Sequence, residues 1–79
     1  MNLFQAKPGD MIELLGFEKG GNRAYRQRLM AMGLMPGITF KVSRLAPLGD
    51  PVEIKLPNLS SLILRKAEAA CLRLAEVAQ

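Results

Sequence analysis

The chain has 79 residues, 49% of them hydrophobic, and its 11 basic and 7 acidic residues give a formal charge of +4. This composition excludes intrinsic disorder, and the length predicts a single domain over residues 1–79. The first residues lack the pattern of a signal peptide, and no apolar run approaches the roughly 20 residues of a membrane span. The single cysteine, Cys71, excludes an internal disulfide and favours a reducing compartment. We therefore expect a cytoplasmic protein.

The first part of the chain predicts a strand between a turn and a loop. Residues 7–10 (KPGD) are typical of a turn, and the mostly apolar residues 11–15 (MIELL) that follow predict a short strand. Residues 16–21 begin and end with glycine and are predicted as a loop.

A helix is predicted over residues 23–32, which contain good helix formers and neither glycine nor proline. Asn22 can cap this helix, because its side-chain oxygen can accept a backbone N–H of the first turn. Gly33 suits the left-handed residue that ends many helices. At about 100° per residue, one face carries three residues that we predict to pack into the core: Tyr25, Leu29 and Met32.

The second half of the chain predicts short strands. Apolar and polar residues alternate over residues 38–43 and again over 52–56, which is the period of a half-buried strand. A further strand is predicted at residues 62–64. Residues 66–70 have helical composition over a length that suits only one turn. Residues 72–77 are predicted as the last strand, although the helix could instead continue through Ala75.

These elements together predict the fold class. Short antiparallel strands in so small a domain favour a closed or partly closed barrel, because closure removes exposed strand edges. We predict a mainly β fold, namely a small SH3-like β-barrel with one inserted α-helix and a short helical turn before the last strand.

The sequence predicts neither an enzyme nor a metal site. It contains no histidine, so the usual base for a serine or cysteine nucleophile is absent. The acidic residues are scattered, and the lone Cys71 lacks the clustered ligands of an iron or zinc site. We interpret the methionines as core or contact residues rather than as metal ligands. We therefore expect no catalytic residue, no bound metal and no cofactor.

A second flank of the predicted helix is a candidate docking surface. Arginine and methionine are enriched at protein interfaces, although a solvated basic face would also explain them here. Apolar residues in the turn after the helix and at a predicted hairpin tip either extend this surface or pack beneath the barrel. The candidate partner-binding residues are Arg23, Arg26, Gln27, Met30, Leu34, Met35 and Leu48.

Four segments of the sequence resemble motifs of the FeoA family. Residues 28–37 (RLMAMGLMPG) look like the family's RL-x-x-(L/M)-G-x-x-P-G segment, and residues 46–52 (APLGDPV) look like its A-P-L-G-D-P hairpin turn. Residues 62–69 (LILRKAEA) look like its terminal L-x-L-R-(K)-x-x-A segment, and residues 7–10 resemble its opening turn. The motif residues to which we assign structural roles are Leu29, Gly33, Pro36, Gly37, Pro47, Gly49, Asp50, Pro51, Leu64 and Arg65.

Three of these motif residues have a specific predicted role. Gly33 and Gly37 can supply a positive φ angle, at which a side chain would cost energy. Pro51 fixes φ and lacks an N–H donor, so we expect it at the start of an edge strand.

The resemblance implies a cytoplasmic accessory protein of bacterial ferrous iron uptake with an SH3-like fold. Its implied partner is the FeoB transporter, contacted through the cytoplasmic GTPase domain or the membrane part, which would hold the protein at the inner membrane. Arg23 or Arg26 could then act on a bound nucleotide, as GTPase activators do.

Two alternatives from other functional classes stay open. The positive charge suits a nucleic-acid-binding barrel, but with aromatic residues at only 5% few rings are present for base stacking, so we expect no nucleic acid. The barrel edges could instead build a self-assembling scaffold, that is, a homo-oligomer.

Overall fold

A computed structural model of the chain describes residues 2–77. The elements in chain order are a 3₁₀ turn (Leu3–Gln5), β1 (Met11–Phe17), α1 (Arg23–Ala31), β2 (Thr39–Leu45), β3 (Val52–Lys55), β4 (Ser61–Leu64), α2 (Lys66–Ala69) and β5 (Leu72–Glu76). The predicted mainly β fold, with one inserted helix and a helical turn before the last strand, is confirmed.

The strands form one five-stranded antiparallel sheet in the order β4-β3-β2-β1-β5. Hairpins connect β2 to β3 and β3 to β4, whereas α1 lies in the connection between β1 and β2. Within residues 2–77, β4 and β5 do not pair with each other, so the sheet is not closed along that line. The SH3-like arrangement is confirmed, with two free edges at β4 and β5.

The core collects inward-facing side chains from every strand, together with residues of both helices and of the N-terminal turn. The buried apolar residues are Leu3, Ala6, Ile12, Leu14, Leu29, Leu34, Phe40, Val42, Val52, Ile54, Leu56, Leu62, Leu64, Ala69, Leu72 and Leu74. The predicted alternations over residues 38–43 and 52–56 are confirmed, because Phe40, Val42 and Ile54 are buried and the residues between them are more accessible.

The strand β1 is longer than predicted. The prediction of a loop over residues 16–21 is wrong for Gly16 and Phe17, which pair with β5. The pairing register shifts between Leu14 and Gly16, and such a β-bulge allows a strand to continue past an irregular position. As a result, Phe17 packs against the edge of the core.

The predicted start of α1 and the glycine at its end are confirmed, but the helix ends at Ala31, one residue before the predicted end. The Asn22 side chain accepts a hydrogen bond from the Tyr25 backbone N–H at 3.1 Å. Gly33 follows the helix with a φ of +104°, which lets the chain turn. The predicted core face is only partly right, because Leu29 is buried and Tyr25 half-buried, but Met32 is 46% exposed. Met32 is the C-cap, so it lies beyond the last residue of the helix and does not extend its inner face.

The expectation that Pro51 starts an edge strand is wrong. It precedes β3, which lies between β2 and β4 and is therefore an interior strand. The Pro51 carbonyl accepts the Ala46 N–H at 3.1 Å across the hairpin. Proline has no N–H to donate in return to the Ala46 carbonyl, and this carbonyl accepts the Gly49 N–H at 2.7 Å. The Ala46 carbonyl therefore has a partner although the proline has no N–H to offer it.

Candidate functional site

A shallow groove of about 400 Å³ lies between one flank of α1 and the end of β1. We call it the basic groove, and its lining residues are Phe17, Arg23, Arg26, Gln27 and Met30. Four of these five are candidate partner-binding residues from the sequence, and the structure brings them together. Sequence reasoning missed Phe17 because the glycine before it favoured a loop. The available signal was an aromatic residue directly after a strand-like run.

The helix period explains how the basic groove forms. Its four helix residues follow the i, i+3, i+4, i+7 spacing and therefore share one flank of α1. Leu29 lies on another side of the helix and is buried, so it fixes the rotation of α1 against the core. The bulge in β1 precedes Phe17, which packs partly against the core. The groove is therefore positioned by packed elements.

The basic groove combines positive charge with apolar surface. Arg23 and Gln27 are exposed, whereas Arg26 and Met30 are half-buried. None of the described residues that line the groove is acidic, so the groove itself offers no carboxylate to the two guanidinium groups. Phe17 and Met30 add an apolar contact surface that can adapt to a partner. This arrangement suits a surface that carries carboxylates next to apolar side chains.

Three candidate residues lie outside the basic groove. The assignment of Leu34 to a contact surface is wrong, because its side chain is 0% exposed and belongs to the core. The Leu34 N–H donates to the Leu29 carbonyl at 3.0 Å, which folds the chain back beneath α1. Met35 is 51% exposed and Leu48 is 96% exposed, and both remain candidate contact residues at separate positions.

The motif residues occupy turns and core positions. Gly33 and Gly37 both have positive φ, the latter at +95°, so this expectation is confirmed. The Gly37 N–H donates to the Leu14 carbonyl at 2.7 Å and ties the turn after α1 to β1. The other motif residues are placed as follows: Leu29 and Leu64 are buried, Pro36 and Pro47 are exposed in turns, Gly49, Asp50 and Pro51 belong to the β2–β3 turn, and Arg65 is exposed at the start of α2.

A cleft of about 620 Å³ between α1 and α2 contains the cysteine of the chain. The Cys71 thiol donates to the Glu68 carbonyl, with a sulfur–oxygen distance of 3.1 Å. Burial raises the pKa of the Cys71 thiol, so the thiol form dominates near neutral pH. Because the thiolate is the form that attacks substrates or binds metals, this cysteine is not an activated nucleophile.

The same cleft contains the tyrosine of α1. Burial, and then the negative charge of Glu68, raise the pKa of Tyr25 to about 12. The Arg28 guanidinium lies 5.4 Å from the centre of the Tyr25 ring, a cation–π contact that acts on this pKa in the opposite direction. The tyrosine is therefore a neutral packing residue at physiological pH.

Within residues 2–77, no group of three or more His, Cys, Asp or Glu side chains is placed to hold a metal ion. None of the helices in that range is both long and apolar enough to cross a membrane.

Fold and groove together define a small SH3-like domain with an inserted helix and a basic surface groove. The family model described as the FeoA domain matches residues 1–76. The chain therefore belongs to the FeoA family, which is associated with ferrous iron transport. The family resemblance of the four sequence motifs is confirmed.

Several solved structures that resemble this chain are also FeoA proteins or iron transport proteins. The FeoA protein from Chlorobium tepidum is 37% identical, with a TM-score of 0.83, and the match covers 99% of this chain and 71% of that chain. Iron(II) transport protein A from Clostridium thermocellum is 32% identical, with a TM-score of 0.81 over 98% of this chain and 46% of that chain. A protein named iron uptake regulatory protein (FeoA) is 25% identical, with a TM-score of 0.76 over 98% and 96% of the two chains.

Proposed function

We propose that this chain is an accessory protein of ferrous iron uptake that docks on a FeoB-type transporter and modulates its activity or assembly. The basic groove carries the proposal, because it places two arginines beside apolar surface and has no acidic residue among its described lining. The family's association with ferrous iron transport supports the choice of partner. The protein acts in the cytoplasm, either free or held at the inner membrane by this contact.

The composition of the basic groove favours docking over catalysis. Arginine and aromatic residues often supply much of the binding energy at interfaces, and methionine adapts its shape to a partner. None of the described lining residues is a nucleophile or a titratable base. Binding, rather than a chemical step, is therefore the activity that these side chains support.

The groove also indicates the chemistry of the partner surface. The guanidinium groups of Arg23 and Arg26 favour carboxylates, and the accessible parts of Phe17 and Met30 favour apolar side chains. We expect an acidic patch with a protruding aliphatic residue on the transporter. Exposed charges of this kind accelerate association, so added salt should slow binding more than it speeds dissociation.

A narrower hypothesis gives one of the arginines a direct role in nucleotide hydrolysis. An arginine supplied by an activator raises GTPase turnover by roughly 10³- to 10⁵-fold. Arg23→Ala and Arg26→Ala variants would be measured at concentrations that saturate the transporter. A large loss of GTP turnover with unchanged binding would support this role, and unchanged turnover would restrict both arginines to docking.

The proposed docking is tested by offering the immobilised protein two forms of the transporter. One is the full-length transporter in detergent, and the other is its isolated cytoplasmic domain, each with GDP and with a non-hydrolysable GTP analogue. Retention of either form, weakened by salt, supports the proposal and identifies the part that is bound. Retention of neither form in any nucleotide state contradicts it.

A further inference from the structure

A second groove, of about 450 Å³, lies between α1 and β4. We call it the edge groove. Its helix side includes Tyr25, Arg28 and Met32, and its strand side includes all four residues of β4 (Ser61–Leu64). It shares no described lining residue with the basic groove.

The edge groove follows the open edge of β4. Leu62 and Leu64 are buried, whereas Ser61 and Ile63 are exposed, as expected for side chains that alternate between two faces. All four residues line the groove. A groove that contacts both sets of residues must run along the edge of the strand rather than across one face.

The main chain along this edge is unpaired among the described strands. The Leu56 N–H donates to the Ser60 carbonyl at 2.9 Å, so these two residues form a hydrogen-bonded pair. Hydrogen-bonded pairs recur at every second residue, and the next one joins Ile54 of β3 to Leu62 of β4. Successive residues of an antiparallel strand direct their N–H and C=O groups to opposite sides. Ser61 and Ile63 therefore direct both groups away from β3 and along the edge groove.

The edge of β4 has only some of the features that protect free edges from pairing. Natural sheets shield their edges with charged residues, prolines or bulges, with very short strands, or with a covering helix or loop, and of these β4 has a length of four residues and the neighbouring α1. Residues 61–64 (SLIL) contain no charge and no proline, and their pairing with β3 is regular. The opposite edge strand, β5, carries Arg73 and Glu76. The edge of β4 therefore lacks the charges that oppose the addition of another strand at β5.

The side chains around the edge groove define what binds there. Met32 and Ile63, the latter 64% exposed, offer apolar contacts from opposite walls. Arg28 adds a positive charge that is held over the Tyr25 ring. Glu68 also lines the groove, and its carboxylate, which accepts a backbone N–H at the start of α2, balances the charge of Arg28. The apolar contacts therefore favour aliphatic side chains, and the formal charge of +4 on the whole chain favours an acidic segment.

We propose that an extended, acidic segment of a partner protein binds in the edge groove as a sixth strand. Its main chain pairs with Ser61 and Ile63, its alternating aliphatic side chains contact Met32 on one face and Ile63 on the other, and a carboxylate meets Arg28. Another strand is the element whose donors and acceptors match an open edge. Charge complementarity favours this occupant over a second copy of the chain, because each copy carries a formal charge of +4.

Hydrogen exchange of the free protein tests whether the edge is open. The backbone amides of Ser61 and Ile63 are expected to exchange at least about tenfold faster than those of Leu62 and Leu64. Amides of Ser61 and Ile63 that exchange as slowly as their neighbours would mean that the edge is already covered, and this result would overturn the proposal.

Peptide binding tests the occupant. A displayed library of random decapeptides would be panned against the intact protein, and the enriched sequences are expected to alternate aliphatic residues with polar ones that include an acid. Two N-methylated forms of the best peptide would then be made, one methylated on the odd-numbered residues and the other on the even-numbered residues. In only one of these two registers do the methyl groups block the amides that face the edge of β4. The register that blocks the edge-facing amides should lose about tenfold or more in affinity, and the other should lose little.

A variant of the protein gives an independent check. Ser61→Pro removes one edge-facing donor but leaves the ladder with β3 intact, so it should weaken peptide binding without unfolding the protein. The absence of enriched peptides, or equal affinity for both methylated registers, overturns the proposal. A concentration-dependent dimer that excludes the peptide would assign the edge to a second copy instead.

Discussion

Asp50 and Lys66 lie 16 residues apart in the chain and are joined by a hydrogen bond, in which the Asp50 carboxylate accepts the Lys66 backbone N–H at 3.0 Å. Asp50 belongs to the β2–β3 turn, and Lys66 is the first residue of α2. The bond therefore links two of the segments that carry the family resemblance. It also gives a carboxylate partner to an N–H at a helix start, which has no partner within the helix.

We expect Asp50→Ala to destabilise the protein by about 1 kcal/mol, because loss of the carboxylate leaves the Lys66 N–H to water. For a domain of this size, such a loss lowers the melting temperature by about 4–8 °C. Thermal unfolding followed by circular dichroism measures the change. Glu18→Ala removes an exposed carboxylate with no hydrogen bond to a described residue and is the control. Equal losses in both variants would show that the Asp50 bond has no specific role.

Gly33→Ala should destabilise the protein by at least about 1 kcal/mol, because an alanine at positive φ is strained. Its Cβ would also lie 3.0 Å from the Asn58 amide nitrogen. Gly16→Ala is the matched control, since Gly16 has ordinary φ and open space around the added Cβ. Urea denaturation of both variants provides the comparison. A Gly33→Ala variant as stable as the wild type would show that the left-handed helix end is not required.

Leu34 and Met35 are adjacent in the chain but differ in burial. Leu34→Ala removes a fully buried side chain and should cost about 2–5 kcal/mol, a large share of the stability of a small domain. Met35→Ala removes a side chain that is 51% exposed and should cost much less. Urea midpoints of the two variants measure the difference. Similar midpoints would contradict the placement of Leu34 in the core.

Ionisation of Tyr25 should lower the free energy of unfolding at high pH. Its folded-state pKa is raised from 10.0 to about 12 by burial and by the charge of Glu68, so the unfolded chain loses the proton first. The contribution of Tyr25 to stability is therefore complete below pH 10 and is lost as the pH rises to 12. Tyr25 is the only tyrosine and the chain has no tryptophan, so phenolate absorbance follows its titration directly.

Glu68→Gln tests the second cause of this shift. It removes the negative charge but keeps an oxygen that can accept the hydrogen bond at the start of α2. The pKa of Tyr25 should therefore move down towards 10.0 in this variant, and burial should keep it above that value. A wild-type protein that titrates at 10.0 would contradict the half-buried position of the ring.

The parts of the fold that follow from local periodicity could be predicted from the sequence. Phe40 and Val42 alternate with polar residues because only one face of the sheet is buried. Positions that depend on how elements end could not be predicted in this way. Phe17 stays in β1 because a bulge lets the strand continue, and Met32 leaves the core because α1 ends at Ala31.

For the candidate site too, only the positions that follow from local periodicity could be predicted from the sequence. The four helix residues of the basic groove were predictable, because a rigid helix fixes their relative positions. Leu34 was not, since the burial of a turn residue depends on its hydrogen bond to the Leu29 carbonyl. The edge groove depends on which strand ends the sheet. That order is a property of the whole topology, and no local pattern in residues 61–64 specifies it.

Calorimetric titration with the transporter's cytoplasmic domain would measure the proposed docking of the protein on the ferrous iron transporter through the basic groove. Three proteins would be compared after circular dichroism has confirmed that each is folded. They are the wild type, the groove variant Arg23→Ala/Arg26→Ala/Met30→Ala, and the control Lys41→Ala/Lys55→Ala. The control also removes two positive charges, but from an exposed cross-strand pair of β2 and β3 that lies outside the groove.

We expect the wild type and the control to bind with similar affinity and the groove variant to bind at least about tenfold more weakly. Equal binding by all three proteins would contradict the basic groove as the docking surface.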